Sequence, residues 1–222
     1  MVGSVKLEEL VANYPLLFHM AEPRSWQSIQ AHGLLSTSAL LDLFEMKGYA
    51  RHVLEAERRP DSVMIKHDVH GAATLRDNQP MSTKALERCL TDGTPSDWYR
   101  NLNGRVFFWL TRDRVEGLLE ARAYRDRSHL VIAFHTERLV RAHLDEITLS
   151  PINSGSTLYN AQPRGSATFL RIADYPWAER RRLRGPKDAI AELTVTHAVH
   201  DAMDHVSAVH VHSPDGTIER LG

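Results

Sequence analysis

Apolar and polar residues alternate with two different periods along this chain, and the changes of period mark its elements. Residues 4–13 place Leu7, Leu10 and Val11 on one helical face behind Ser4, whose side-chain oxygen can cap the first turn; Pro15 follows as a stop. Leu16 to Ala21 reads as a strand carrying His19-Met20 near its end. Arg24 to His32 predicts a helix with Gly33 as its C-terminal cap, and Ala39 to Glu45 predicts a second. The densely charged residues 47–62 predict a solvated helix ending at Pro60. Val63-Met64-Ile65 is strand-like and leads into His67-Asp68-Val69-His70, and Leu75 to Pro80 reads as a polar loop. Ser82 to Leu90 and the segment around Trp98, Tyr99 and Leu102 predict two further helices before the turn Asn103-Gly104.

Beyond this point strand periods take over. Val106 to Leu110 is the most continuously apolar run, so it belongs at the centre of a sheet; Thr111 caps a helix over Arg112 to Ala123. His129 to Phe134 predicts a buried strand, followed by a short helix capped by Thr136. Ile147-Thr148-Leu149 starts a strand that breaks at Pro151, residues 152–164 form a loop, and Ala167 to Ile172 alternates as a strand. Tyr175-Pro176-Trp177 ends it, residues 179–188 form a basic loop, and Ala189 to Val195 and Val206 to Val211 close the pattern as strands. Helices lie mainly in the N-terminal half and no linker interrupts the chain, so the pattern implies an α+β fold in a single domain over residues 1–222.

Composition narrows the function classes. The 222 residues are 42% hydrophobic and 25% charged, as in an ordinary globular protein, and the formal net charge is −1. A whole-molecule field that would recruit nucleic acid or an acidic membrane is therefore absent, and any such attraction must be local. The single cysteine, Cys89, has no partner for an internal disulfide, which fits a reducing, cytoplasmic setting. No N-terminal apolar core suggests a signal peptide, and no apolar run approaches the roughly 20 residues needed to cross a bilayer. Histidine pairs at His67/His70, His197/His200 and His210/His212, with His205, Asp201 and Asp204, invite a metal. No HExxH motif or cysteine pair supports one, so no metal is expected.

Glu192 is the residue around which the chemistry gathers. A carboxylate among Ala189, Ile190, Ala191, Leu193 and Val195 is either solvated at an open face or lines a cleft. Phe18-His19 with His32-Gly33-Leu34, then Phe107-Phe108-Trp109-Leu110-Thr111-Arg112, then Ala191-Glu192-Leu193 with Val195, occur in that order. The three blocks resemble those of the NAD-dependent ADP-ribosyltransferases, including DarT-type DNA-modifying toxins and, more distantly, the RNA 2′-phosphotransferases. Asp113-Arg114 stands where the DarT pattern has Ser-Pro. The middle of the chain, including Leu75 to Pro80 and Ser150 to Gly155, resembles an uncharacterised bacterial protein family.

The resemblance implies a split β-sheet core with an NAD cleft, in which NAD is consumed and nicotinamide leaves. Glu192 and Arg112 would be catalytic, Glu192 stabilising an oxocarbenium-like ribose and Arg112 also holding the pyrophosphate. His19 would donate to a ribose hydroxyl, and Ser36 and Thr37 would help bind the nucleotide. The acceptor would lie against the segment before Glu192. There Arg180, Arg181 and Arg182 suit a phosphate-bearing nucleic acid, and Tyr175 and Trp177 suit base stacking. A solvated charged loop is the plain alternative. DarT-like enzymes imply a toxin role with an antitoxin or ADP-ribosyl hydrolase partner. RNA 2′-phosphotransferase-like chemistry through Arg76, Arg112 and Arg114, NAD hydrolysis, and a non-catalytic nucleotide-binding interaction domain remain open.

Overall fold

The computed structural model describes residues 6–158 and 160–221; the expected Ser4 cap lies outside them. Helix α1 spans Leu7–Asn13 and strand β1 Leu16–Ala21. They are followed by α2 (Trp26–His32), β2 (Leu34–Leu35), α3 (Thr37–Leu43) and α4 (Gly48–Ala56). A hairpin comes next, β3 (Val63–His67) and β4 (Gly71–Leu75), then α5 (Thr83–Cys89) and α6 (Pro95–Asn103). The second half contains β5 (Arg105–Trp109), α7 (Arg112–Leu119), β6 (His129–His135), α8 (Thr136–Ala142), β7 (Ile147–Ser150) and β8 (Leu170–Arg171). It ends with α9 (Trp177–Arg184), β9 (Glu192–Thr196), β10 (Ala198–Val199), α10 (Ala202–His205), β11 (Val206–His212) and β12 (Ile218–Leu221).

The architecture is α+β around one antiparallel sheet in the order β12-β11-β6-β1-β5-β9-β7-β8. Strand β1 pairs with β6 from Leu16 opposite His135 to Ala21 opposite Leu130. Strand β5 pairs with β9 over its whole length, placing Trp109 opposite Glu192. Between these two blocks β1 meets β5 at one residue pair, Phe18 and Trp109. The sheet is therefore narrowest at its middle, where His19 and Phe107 sit.

Alternation explains what covers each face. Leu17, Phe108, Ile132, Phe134, Leu193 and Val195 share one core with Leu10 of α1, Leu139 and Val140 of α8 and Trp177 of α9. Phe18, Val131 and Ala133 pack on the other side against Val115 of α7. Each fully buried Leu or Phe contributes about 1.5–3 kcal/mol, against about 1 kcal/mol for a loop hydrogen bond. The sheet, more than any loop contact, thus fixes where His19 and Glu192 lie.

Local signals account for several helix boundaries. Ser36 caps α3 by accepting from the Ala39 amide at 3.1 Å, and Ser82 caps α5 through the Ala85 amide. Thr94 and Asp97 form a reciprocal capping box at the start of α6, with Pro95 in its first turn.

Three expectations are corrected by these elements, and one strand is added that the sequence pattern leaves unassigned. Residues 167–172 are not one strand: a 3-10 turn at Ser166–Thr168 and another at Ile172–Asp174 flank the two-residue β8. Gly71–Leu75 is a strand, because Gly71 at φ 70° lets the chain fold back onto Val63–His67. Thr111 precedes α7 but makes no side-chain cap, and α7 ends at Leu119. Thr136 is the first residue of α8, its hydroxyl donating instead to the Tyr14 carbonyl.

Candidate functional site

A cavity of about 970 Å³ opens at the narrow middle of the sheet, at the large end of the ~300–1,000 Å³ typical of ligand sites. His19 from β1, Phe107 and Trp109 from β5 and Glu192 from β9 line it, as do Ser36 and Thr37. Five arginines (Arg59, Arg76, Arg105, Arg114 and Arg122) line it against three carboxylates, Glu22, Asp77 and Glu192. That balance favours an anionic ligand although the whole chain is nearly neutral.

Glu192 is the first residue of β9, not a mid-strand residue, and is 3% exposed. Ser154, itself fully buried, donates its amide to both carboxylate oxygens at 3.1 Å and its hydroxyl to Oε2 at 2.6 Å. Burial dominates over these bonds and over the nearby Arg114 and Arg164 charges, and it pushes the Glu192 carboxyl up to about 7. A carboxyl held in this range can ionise, or keep a proton, near neutral pH.

His19 bridges the gap between the half-sheets. Its Nδ1 lies 2.9 Å from the Phe107 carbonyl, an acceptor the sparse β1–β5 ladder leaves free. Burial, with a smaller contribution from Arg76, lowers its pKa to about 4 despite that hydrogen bond. The ring is therefore neutral at pH 7, Nδ1 carries the proton, and Nε2 is left as an acceptor. With Nδ1 engaged by the Phe107 carbonyl, Nε2 is the ring atom free to face the cavity, as an acceptor.

The polar strap Arg76 to Pro80, which has no evident role in the sequence, forms a wall of the cavity. Arg59, 5% exposed, anchors it by donating to the Leu54 and Arg76 carbonyls, to Asn103 and to Thr37 Oγ1. Asp77 accepts from the Gln79 amide and the Tyr124 hydroxyl. Arg76 donates to the Met20 carbonyl and lies 5.0 Å over the Tyr124 ring. Ser36 and Thr37 reach the cavity, yet their oxygens also serve the Ala39 amide and Arg59 respectively.

Not all the expected site residues converge. Arg112 does not line the cavity: its side chain is 62% exposed and its nearest carboxylate is Glu116, one turn along α7. Arg114, two residues on, takes its place. One Nη donates to Asp188 at 2.8 Å, while its Nε is buried without a partner among the described residues. Tyr175 and Trp177 cannot stack on a base, because they are 1% and 3% exposed core residues. Burial leaves the Tyr175 hydroxyl no water to bond, so it donates to the Ala189 carbonyl. The basic segment is helix α9, not a loop. Arg181 on it pairs with Glu9 at 2.9 Å, whereas Arg180, Arg182 and Arg184 have no carboxylate partner among the described residues.

Of the histidines singled out in the sequence, His205 is the one that joins a group of three possible metal ligands among the described residues, with Asp201 and His143, whereas His67 and His70 stack with their rings 4.8 Å apart. The distances of 2.7 and 3.0 Å from Asp201 to the two imidazoles of the group are those of hydrogen bonds. Ser154 carries no sequence signal beyond its polarity, and Arg114 enters the sequence reading only as part of a possible 2′-phosphate site; the fold places both near Glu192. No helix among the described residues is long and apolar enough to cross a membrane.

The model of a family of unknown function, DUF7002, matches residues 15–206. No curated protein matches the chain, and no solved structure does.

Proposed function

The chain belongs to the DUF7002 family, and we propose that it is an NAD-consuming ADP-ribosyltransferase that releases nicotinamide and transfers ADP-ribose to nucleic acid. The observation that carries this reading is that His19 and Glu192, from strands flanking the narrow point of the sheet, line one anion-favouring cavity with Glu192 poised near neutrality.

In this reading the bond between nicotinamide and ribose breaks with positive charge developing at the ribose anomeric carbon. The Glu192 carboxylate stabilises that charge and accepts the ribose 2′-hydroxyl, while Ser154 keeps both oxygens in place. His19 Nε2 accepts from a second hydroxyl. Arg114, with its unpartnered Nε, and Arg76 face the phosphates. Glu192, as the base for the acceptor, must be ionised, so the rate should rise with pH through about 7.

Arg114→Ala should weaken NAD binding tenfold to about a hundredfold, the value of a charge-assisted hydrogen bond, whereas Arg112→Ala should leave it within about twofold. Calorimetric titration of NAD into each variant decides this. Equal losses would mean that α7 presents a diffuse positive field and not one phosphate ligand.

The acceptor assignment rests on α9, which offers Arg180, Arg182 and Arg184 without carboxylate partners. Replacing the three with glutamine should cut labelling of DNA or RNA by at least about tenfold at physiological salt. It should also flatten the dependence on salt, because fewer counterions are released, and spare NAD binding. Unchanged labelling would remove α9 from the acceptor surface. Incubation with labelled NAD separates the readings: labelled polymer supports transfer, and free ADP-ribose alone supports hydrolysis. In cells, a toxin of this kind would harm its host, and Glu192→Gln would relieve the harm.

A second reading, 2′-phosphate transfer from RNA to NAD, is favoured by Arg76, Arg114 and Arg122 lining the same cavity. NAD-dependent loss of a 2′-phosphate from an RNA oligonucleotide would select it.

A further inference from the structure

Two buried opposite charges near the cavity do not touch. Arg164 is 2% exposed and has no carboxylate within bonding distance among the described residues. Glu192 is 3% exposed and has no arginine hydrogen-bonded to it. One residue stands between them. Arg164 Nη1 donates to the Ser154 carbonyl at 2.9 Å, and Ser154 donates its amide and hydroxyl to the carboxylate. Isolated buried charges are strongly unfavourable, and this arrangement relieves both.

We infer that Ser154 and Arg164 are positioning residues that aim Glu192 and set the pH at which it ionises, by pairing the carboxylate with a buried guanidinium through a single serine. The catalytic consequence rests on the ADP-ribosyltransferase reading; the ionic arrangement does not.

The loop that carries Ser154 is fixed at two points downstream of it. At one, the Arg164 backbone bonds to the Cys89 carbonyl and the Thr91 amide, joining the loop to the end of α5. At the other, Thr157 bonds to the Pro80 carbonyl and accepts from the Ser82 amide, joining it to the strap on the cavity wall. The other groups around the carboxyl are few. Arg114 approaches from α7 and is already paired with Asp188. Trp109 of β5 and Ser150 of β7 lie directly across the strands and carry no charge. His19 in the same cavity is neutral. Ser154 thus holds the charged form of Glu192 most directly; Arg114 and, after it, Arg164 add through-space support, and Arg164 alone of the two is also bonded to Ser154.

The Glu192 pKa can be read without any activity, from the pH dependence of the difference in unfolding free energy between a protein and its Glu192→Gln counterpart. Ser154→Ala removes the hydroxyl donor, and Arg164→Met removes the guanidinium while keeping an unbranched apolar stem. Each should raise the fitted pKa by about one unit, because each weakens support for the carboxylate. Ser154→Thr and Arg164→Lys, which keep the donor or the charge, should return most of that shift. The acid limb of the NAD-turnover profile should move by the same amount.

An unchanged pKa in Ser154→Ala would overturn the inference, and this variant decides alone if Arg164→Met does not fold. A shifted pKa with no NAD turnover in any variant would sustain the positioning role and refute the ADP-ribosyltransferase reading. Turnover that needs Glu192, with an unshifted pKa and acid limb, would do the reverse.

Discussion

On the proposed NAD chemistry, Glu192→Gln should cut NAD cleavage by about 10²–10³-fold, and it should make the protein more stable above neutral pH. On the catalytic side, removal of a preorganised charge aimed at a developing cation costs about 10²–10³ in rate. The stability change follows from linkage. The Glu192 carboxyl ionises at about 7 in the folded state, against a model-compound value of 4.5. The folded state therefore binds the proton more tightly than the unfolded chain. Relative to an unperturbed glutamate, that preference is fully favourable below about 4.5 and is lost as pH rises through about 7. A displacement of this size corresponds to about 3 kcal/mol. Glutamine keeps the shape and loses the ionisation, so its advantage should be smallest below about pH 4.5 and reach about 3 kcal/mol by pH 8–9. Urea unfolding of both proteins across this range measures it. A pH-independent difference would show that Glu192 is not held against its own ionisation. Full NAD turnover in the variant would remove it from the chemistry.

The apolar pattern marks Glu192 as unusual but leaves it either solvated or in a cleft; the order of the three resembling blocks is what singles it out in the sequence. A lone carboxylate beside Leu193 and Val195 stands out against the apolar period, as does His19 between Leu17 and Met20. The strands that carry them lie on either side of the β5 centre, where the most apolar run placed it. The arginine was harder. Successive helical residues are turned by about 100°, so Arg112 and Arg114 at the start of α7 face directions about 160° apart. Their order in sequence says nothing about which faces the cavity until the packing of Val115 against Phe18 and Val131 fixes the helix rotation. Tyr175 and Trp177 were misread for a related reason. An aromatic beside a basic stretch has the same local sequence whether it caps a core or stacks on a base, and here the core holds them. The α9 helix was hidden because its one buried residue, Trp177, leaves no apolar period to see. Ser154 lies in a loop, where polarity is the norm and distance along the chain hides the contact with Glu192, 38 residues away.

Gly33→Ala should be among the most damaging single-methyl changes in the molecule, and its effect should reach the cavity. Gly33 ends α2 at φ 78°, ψ −167°, a region of backbone space that is essentially closed to residues with a side chain. An added Cβ would lie 2.2 Å from the Val199 carbonyl oxygen and 2.6 Å from that of His200. Both obstacles are backbone, so no side-chain rotation relieves them. Val199 belongs to β10, with His200 directly after it, and β10 pairs with β2 through Leu34 opposite Val199 and Leu35 opposite Ala198. Making room for the methyl group must push β2 away from β10, and with it Ser36 and Thr37 on the cavity wall. Strain and overpacking together should cost about 3–5 kcal/mol. Gly48 supplies the control, since it has φ 63° but nothing within 4 Å of its would-be Cβ. Gly48→Ala should therefore cost about 1 kcal/mol, from backbone strain alone. Denaturant unfolding of the two variants separates close approach from conformation. If Gly33→Ala proves no worse than Gly48→Ala, the β2–β10 contact is soft, and the turn that carries Ser36 into the cavity is not held by it. If it is worse by the expected margin, any folded fraction should also bind NAD less tightly, because the methyl group acts on the wall of the site.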